Sequence, residues 1–163
     1  SRHNFSERLQ KIKLVATDCD GVLTDAGMYY SENGDELKKF NTKDGMGIRL
    51  LRQSGIKTAI ITGEDIELVK RRAQKLKVDD VFLGISNKVK TMEFLLGKYN
   101  LDYDNVAYIG DDINDLELLK LVGVSFSVND AMEIVKNNTD YITLAKGGQG
   151  AVREVAELIL RNK

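Results

Sequence analysis

Proline is absent from the 163 residues, and cysteine and histidine occur once each, as Cys19 and His3. Without proline the turns must rest on Gly, Asn and Asp, which reach left-handed or locally hydrogen-bonded backbone conformations. A lone cysteine forms no internal disulfide, so a reducing compartment, the cytoplasm, is expected. His3, close to the amino end, is expected to be disordered or exposed. No apolar run approaches the roughly 20 residues of a membrane-spanning helix, and the opening SRHNFSERLQKIK lacks the apolar stretch of a signal peptide. No sign of charge dominates either. The 24 Lys and Arg face 25 Asp and Glu, and a net charge of -1 argues against a nucleic-acid or anionic-membrane partner. A small-molecule ligand fits better.

What the chain does have is alternation. The short runs IKLVAT, TAIIT, VFL, VAYIG, VSFSV and YITL are strand candidates, several of them continuously apolar, as strands covered on both faces tend to be. Between them, helical patterns are expected at about 46–53, 65–76, 88–99, 113–121, 130–136 and 149–161. In the last, Ala151, Val152, Val155, Leu158 and Ile159 form one apolar stripe. Strand followed by helix, repeated, predicts an α/β fold: a doubly wound, Rossmann-like parallel sheet. One segment departs from this rhythm. GMYYSENGDELKKF carries two short, partly alternating runs around an Asn-Gly pair, which predicts a β-hairpin over about 27–41, projecting after the first strand. No repeat or linker interrupts the chain, so residues 1–163 are expected to form a single domain.

In such a sheet, ligands bind beyond the carboxyl ends of the strands. The residues there form a chemically coherent set: Asp18, Cys19 and Asp20 after the first strand, Thr62 and Gly63 after the second, Lys88 after VFLGISN, and Asp111 and Asp112 after VAYIG, with Asp115 one turn later. Asp18, Asp20 and Asp111 brought together could not all stay ionised without a cation, and a hard divalent ion such as Mg²⁺ is the natural one. Lys88, the Thr62 hydroxyl and the backbone N–H groups of the turn that includes Gly21 then suit a phosphoryl group. Asp18 can attack phosphorus and carry it as an aspartyl-phosphate, while Asp20 moves protons to and from the oxygens that leave and attack. Alternation turns Cys19 away from its two neighbours, which makes it a packing residue and not the nucleophile.

The order DCDG, ITG, SNK and GDDIND resembles the haloacid dehalogenase superfamily of phosphatases. That resemblance implies Asp18 as nucleophile and metal ligand, and Asp20 as acid/base whose backbone carbonyl binds Mg²⁺. It makes Asp111 the third protein ligand, with Asp112 and Asp115 in support. Most members carry a cap domain. Here the spacing between Asp20 and Thr62, and between Thr62 and Lys88, leaves no room for one, so a capless member is expected. GVLTDAGMYYSENGDELKKFNTKDGMGI and GGQGAVREV further resemble the 3-deoxy-D-manno-octulosonate 8-phosphate phosphatase family. This implies a phosphorylated sugar acid as substrate and a homotetramer in which a neighbouring subunit covers each site. Two positions differ from the octulosonate pattern. Glu64 follows TG where arginine is common, and Gln149 stands in GGQG where the family has arginine. Glu64 with Lys75 is closer to relatives acting on nine-carbon nonulosonate 9-phosphates, so eight- and nine-carbon substrates both stay open. Two other classes compete. A phosphoryl-accepting receiver domain gathers similar residues in a different order, and a non-catalytic oligomerisation module of the cytidylyltransferase-associated type has no need of its acids.

Overall fold

The computed structural model describes residues 2–163, with side chains from residue 4 onward, so the side chain of His3 lies outside the described residues. A helix, α1 (Arg2–Gln10), leads into β1 (Leu14–Thr17), and a hairpin of β2 (Tyr29–Tyr30) and β3 (Glu36–Leu37) precedes α2 (Thr42–Gln53). Strands and helices then alternate through β4 (Lys57–Ile61), α3 (Glu67–Leu76), β5 (Asp80–Phe82), α4 (Lys88–Tyr99) and β6 (Val106–Gly110). The remainder is α5 (Leu116–Leu121), β7 (Val124–Ser127), α6 (Glu133–Lys136), β8 (Tyr141–Ile142) and α7 (Ala151–Arg161).

Six strands form one parallel sheet in the order β5-β4-β1-β6-β7-β8. The chain winds outward from β1 to β5, returns to the other side of β1, and winds outward again to β8. Between β1 and β6 the direction reverses, and in this Rossmann-like order the loops there part to leave a crevice. Strands β1, β6 and β7 are buried along their whole length, which explains the apolar runs of β1 and β6, while in β7 the buried Ser125 and Ser127 hydroxyls find partners in Asp140 and Thr139. Val15, Thr17, Thr58 and Ile60 share one interior face with Ile48 and Leu51 of α2 and Val152 of α7. Their register neighbours Ala16 and Tyr108 face the opposite way, where Tyr108 meets α4. Helix α7 buries Val152, Val155 and Ile159 against the core, each worth about 1.5–3 kcal/mol of transfer free energy.

The hairpin pairs Tyr29 with Leu37 and Tyr30 with Glu36, and its turn closes between Ser31 and Asp35, around the Asn-Gly pair. An isolated bridge between Thr24 and Phe40 ties its base. Tyr29, Tyr30 and Leu37 are exposed, whereas Phe40 is half-buried under the guanidinium of Arg72, 5.6 Å from its ring centre.

Four expectations about elements need correction. Helix α1 had no expected counterpart, because its sequence is mostly polar; it is held by tertiary contacts that local periodicity does not reveal. Leu9 is buried, Phe5 stacks on Tyr141, and Arg8 binds the Gly123 carbonyl and Asp140. Helix α2 starts at Thr42 and not near 46, since Asn41 caps it by accepting from the Lys43 N–H. The expected 113–121 helix divides into a 3₁₀ turn (Ile113–Asp115) and α5. The 130–136 helix shrinks to the single turn of α6.

Candidate active site at the sheet reversal

Asp18 extends β1 by one residue, donating its N–H to the Ile109 carbonyl. The next residues wind tightly around one acceptor: the Cys19 carbonyl takes hydrogen bonds from the N–H groups of Val22, Leu23 and Thr24. Thr24 Oγ1 in turn accepts from the Gly21 N–H and donates to Asp20 Oδ1 at 3.4 Å. Gly21 has φ +83°, and a Cβ there would fall 1.8 Å from Asp111 Oδ2. Only glycine lets the Asp111 carboxylate lie over this turn. On its far side, Gly147 of the GGQG segment presses on the Gly21 carbonyl, and the Gly148 N–H donates to the Val22 carbonyl at 2.9 Å.

Asp111 and Asp112 follow β6, the strand beside β1. Asp112 caps the 3₁₀ turn through the Ile113 N–H, 2.7 Å away. Asp115 is fully buried and takes four donors: Lys88 Nζ (2.7 Å) and the Tyr108 hydroxyl (2.6 Å) on Oδ1, and the N–H groups of Asp111 (3.0 Å) and Asp112 (3.4 Å) on Oδ2. Lys88 opens α4 and also reaches Asp18 Oδ1 at 3.2 Å and the Tyr108 hydroxyl at 3.0 Å. Its ammonium thus joins residues from α4, β1, β6 and the following turn.

Each of Asp18, Asp111 and Asp115 offers an oxygen within 4.8 Å of the other two. Three acids share one buried ammonium, which leaves them short of positive charge. Burial, reinforced by Asp115, pushes the Asp18 carboxyl up to about 6, against the pull of Lys88. Burial and the charge of Asp18 push Asp111 up to about 8. The donors to Asp115 already fill its oxygens, so Asp18 and Asp111 are the pair with coordination to spare. Two carboxylates, Asp18 buried and Asp111 half-buried, fit a hard divalent cation that keeps several of its waters.

Residues 80–155 match the model of a family described as haloacid dehalogenase-like hydrolase. The 3-deoxy-D-manno-octulosonate 8-phosphate phosphatase of Escherichia coli is 43% identical over 153 residues, covering 94% of this chain and 81% of that protein. The chain belongs to the haloacid dehalogenase-like hydrolases. A crystal structure of the octulosonate 8-phosphate phosphatase of Moraxella catarrhalis, in complex with magnesium, phosphate and KDO, superposes with a TM-score of 0.96 at 39% identity, covering 100% of this chain and 94% of the other. A probable YrbI family phosphatase of Pseudomonas syringae gives 0.95 at 43% identity, covering 98% and 91%.

In this haloacid dehalogenase-like hydrolase the remaining sequence-predicted residues fall in two places. Thr62 is buried at the end of β4 and its hydroxyl accepts from the Glu64 N–H. Gly63 is exposed and Glu64 half-buried, with Glu64 close enough to Lys38 and Cys19 to act on their charge. Cys19 is fully buried, and burial raises its thiol far out of the reactive range. Lys75 is not at the carboxylate cluster. It is exposed and lines a surface groove of about 610 Å³ between α2 and α3, beside Arg49, Arg52 and Arg72. Gln149 is exposed on the loop before α7.

Three site residues escaped sequence reasoning. Tyr108 had a signal, a hydroxyl-bearing residue inside an otherwise apolar strand, three positions before Asp111. Lys38 of the hairpin, which pairs with Asp20 Oδ1 at 2.6 Å, had none beyond a Lys-Lys pair. Asp44 of α2 supports the GGQG loop from below, accepting from the Gly150, Val152 and Arg153 N–H groups.

Proposed function

We propose that this chain is a Mg²⁺-dependent phosphatase that hydrolyses 3-deoxy-D-manno-octulosonate 8-phosphate through a phosphoaspartate on Asp18. The observation that carries this reading is the meeting of Asp18, Asp111, Lys88 and Asp115 at the β1–β6 reversal, in a chain 43% identical to the Escherichia coli enzyme. Asp18, Asp111 and the backbone carbonyl of Asp20 hold the magnesium ion, which neutralises the acids and the phosphate when bound. Asp18 attacks phosphorus, held in place by the Cys19 N–H and the Lys88 ammonium. Asp20 gives a proton to the departing sugar oxygen and then takes one from the water that attacks the phosphoaspartate. Thr62 and the N–H groups of Asp20 and Gly63 receive the phosphoryl oxygens, with Lys88 as their fixed positive charge, because those of Gly21 to Thr24 are spent within the turn itself. Asp115 and Tyr108 hold Lys88, and Asp112 shapes the turn that presents Asp111.

The chain acts as one capless domain, with the hairpin over about 27–41 as an insert after the first strand. The exposed Tyr29, Tyr30 and Leu37 support a homotetramer built through this hairpin, in which a neighbouring subunit covers the open crevice. The lone Cys19, free and buried, supports a reducing, cytoplasmic setting; among the described residues no helix is long and apolar enough to cross a membrane. The deciding experiment compares kcat/KM on octulosonate 8-phosphate, 2-keto-3-deoxy-nonulosonate 9-phosphate and hexose phosphates, with magnesium and after chelation. The expected order puts the octulosonate first and requires magnesium. A nonulosonate preference would assign Glu64 the task of selecting the longer sugar, and a hexose preference would end the sugar-acid reading.

A further inference from the structure

We propose that Lys38 is a positioning residue for Asp20: its ammonium fixes the rotation of the Asp20 carboxyl, so that Oδ1 is held by donors and Oδ2 is the edge that exchanges protons with the substrate. This rests on the reading of Asp20 as the acid/base. Lys38 follows β3 directly, and its side chain turns inward although both residues of β3, Glu36 and Leu37, are exposed. Tyr29, Tyr30, Glu36, Leu37 and Lys39 are all exposed, yet the Lys38 side chain has 0% exposure. Its four-carbon stem passes Met28, whose sulfur lies 3.4 Å from Nζ, and ends 2.6 Å from Asp20 Oδ1. Ordering and burying so flexible a side chain is costly, and an ammonium held there must be matched by charge. Asp20 supplies that charge whenever it is without its proton, and the nearby charge of Glu64 adds to it; when Oδ2 carries the proton, Oδ1 still accepts from the ammonium.

The bonding at Asp20 is one-sided. Oδ1 takes both Lys38 Nζ and the Thr24 hydroxyl, the latter at 3.4 Å, and among the described residues nothing donates to Oδ2. A carboxyl gripped at one oxygen cannot spin, and its free oxygen keeps one direction. In the first half-reaction an Asp18 oxygen bonds to phosphorus, and the bond from phosphorus to the sugar oxygen breaks. The departing electron pair takes the proton of Asp20 Oδ2. Lys38 keeps all its protons throughout. Since Lys38 belongs to the hairpin, the placement of that insert and the aim of the acid are mechanically joined.

The test separates aim from architecture by varying the leaving group. An alkoxide needs a proton to leave, whereas p-nitrophenolate does not, and kcat/KM reports only steps up to leaving-group departure. Lys38→Met, Lys38→Arg and Asp20→Asn are compared on octulosonate 8-phosphate and p-nitrophenyl phosphate. Lys38→Met is expected to lose about 10- to 100-fold on the sugar phosphate, within the range for misplaced proton transfer, and less than about threefold on the aryl ester. Lys38→Arg should recover most of the loss. Equal losses on both substrates, or none on either, would overturn the proposal. Asp20→Asn guards the premise. Selective loss there together with unselective loss in Lys38→Met defeats the role of Lys38 alone, whereas unselective loss in Asp20→Asn defeats the acid/base reading itself. If Lys38→Met does not fold, Lys38→Gln, which keeps a stem and one donor, is read by the same ratio.

Discussion

Replacing Asp44 with alanine should cost about 3 kcal/mol of stability, although the residue lies outside the reacting atoms. Asp44 sits in the first turn of α2 with 1% exposure. It accepts from the Val152 N–H at 3.0 Å, and from those of Gly150 and Arg153 at 3.3 and 3.4 Å. These are donors that the first turn of α7 leaves without helical partners, and Gly150 itself offers no side-chain cap. Alanine leaves them unpaired where water has no access. Losing a helix cap costs about 1 kcal/mol, and each buried donor left unsatisfied adds about 1–3 kcal/mol. Two of the three bonds are long, and burial, the largest influence on this carboxyl, raises its pKa and offsets part of the gain. The sum therefore stays near 3 kcal/mol, which at about 2–4 °C per kcal/mol for a chain of this size lowers Tm by about 6–12 °C. Asp44→Asn keeps an oxygen for Val152 and Arg153 but turns an amide donor toward Gly150, so roughly half the loss is expected. Thermal unfolding followed by circular dichroism, with magnesium present, measures both. A Tm for Asp44→Ala within about 2 °C of the parent would refute this assignment of the carboxylate.

Gly21→Ala forces a methyl group into Asp111, so kcat/KM should fall by about 100-fold or more while the fold persists; a small loss would mean that Asp111 does not have to sit over this turn. Lys88→Met leaves Asp18 and Asp115 without their shared ammonium and should lower urea stability by about 3–5 kcal/mol, against about 1–3 for Tyr108→Phe; the reverse order would contradict the bonding described. The acids also set a pH dependence. Unfolded aspartates release their protons near 3.8, whereas folded Asp18 and Asp111 hold theirs to about 6 and about 8. Between these values the folded state binds more protons, so the magnesium-free protein should lose stability as pH rises from about 4 to about 8. Magnesium binds the deprotonated pair, so at one fixed concentration, about 100 times the Kd measured at pH 8, its gain in Tm should be about 5–10 °C at pH 8 and smaller at pH 5. An equal gain at both would place the ion elsewhere.

Much of this was legible in the sequence because it is written locally. The parallel sheet shows in strands such as VAYIG, whose unbroken apolar run reflects burial on both faces, and the hairpin shows in its Asn-Gly turn. Asp18, Asp20, Thr62, Lys88 and Asp111 stand just after apolar runs, and a wound sheet places such positions along one edge. What stayed hidden depends on partners far along the chain. Arg8 of α1 is anchored by Asp140, 132 residues on, and Asp44 caps a helix more than 100 residues later. Lys38 reads as one of two ordinary hairpin lysines until the fold turns it toward Asp20. Lys75, singled out with Glu64 by resemblance to the nonulosonate relatives, lies along the groove beside α2 and away from the carboxylate cluster of its own chain.

The proposed reaction passes phosphorus through Asp18. Single-turnover reactions with phosphate-labelled octulosonate 8-phosphate, quenched in acid within the first turnover, test it directly. The label should be found on the peptide spanning Leu14 to Lys38, be released by hydroxylamine as an acyl phosphate is, and be missing from Asp18→Asn. Full-rate product formation by Asp18→Asn, or a label on any other peptide, would contradict the account.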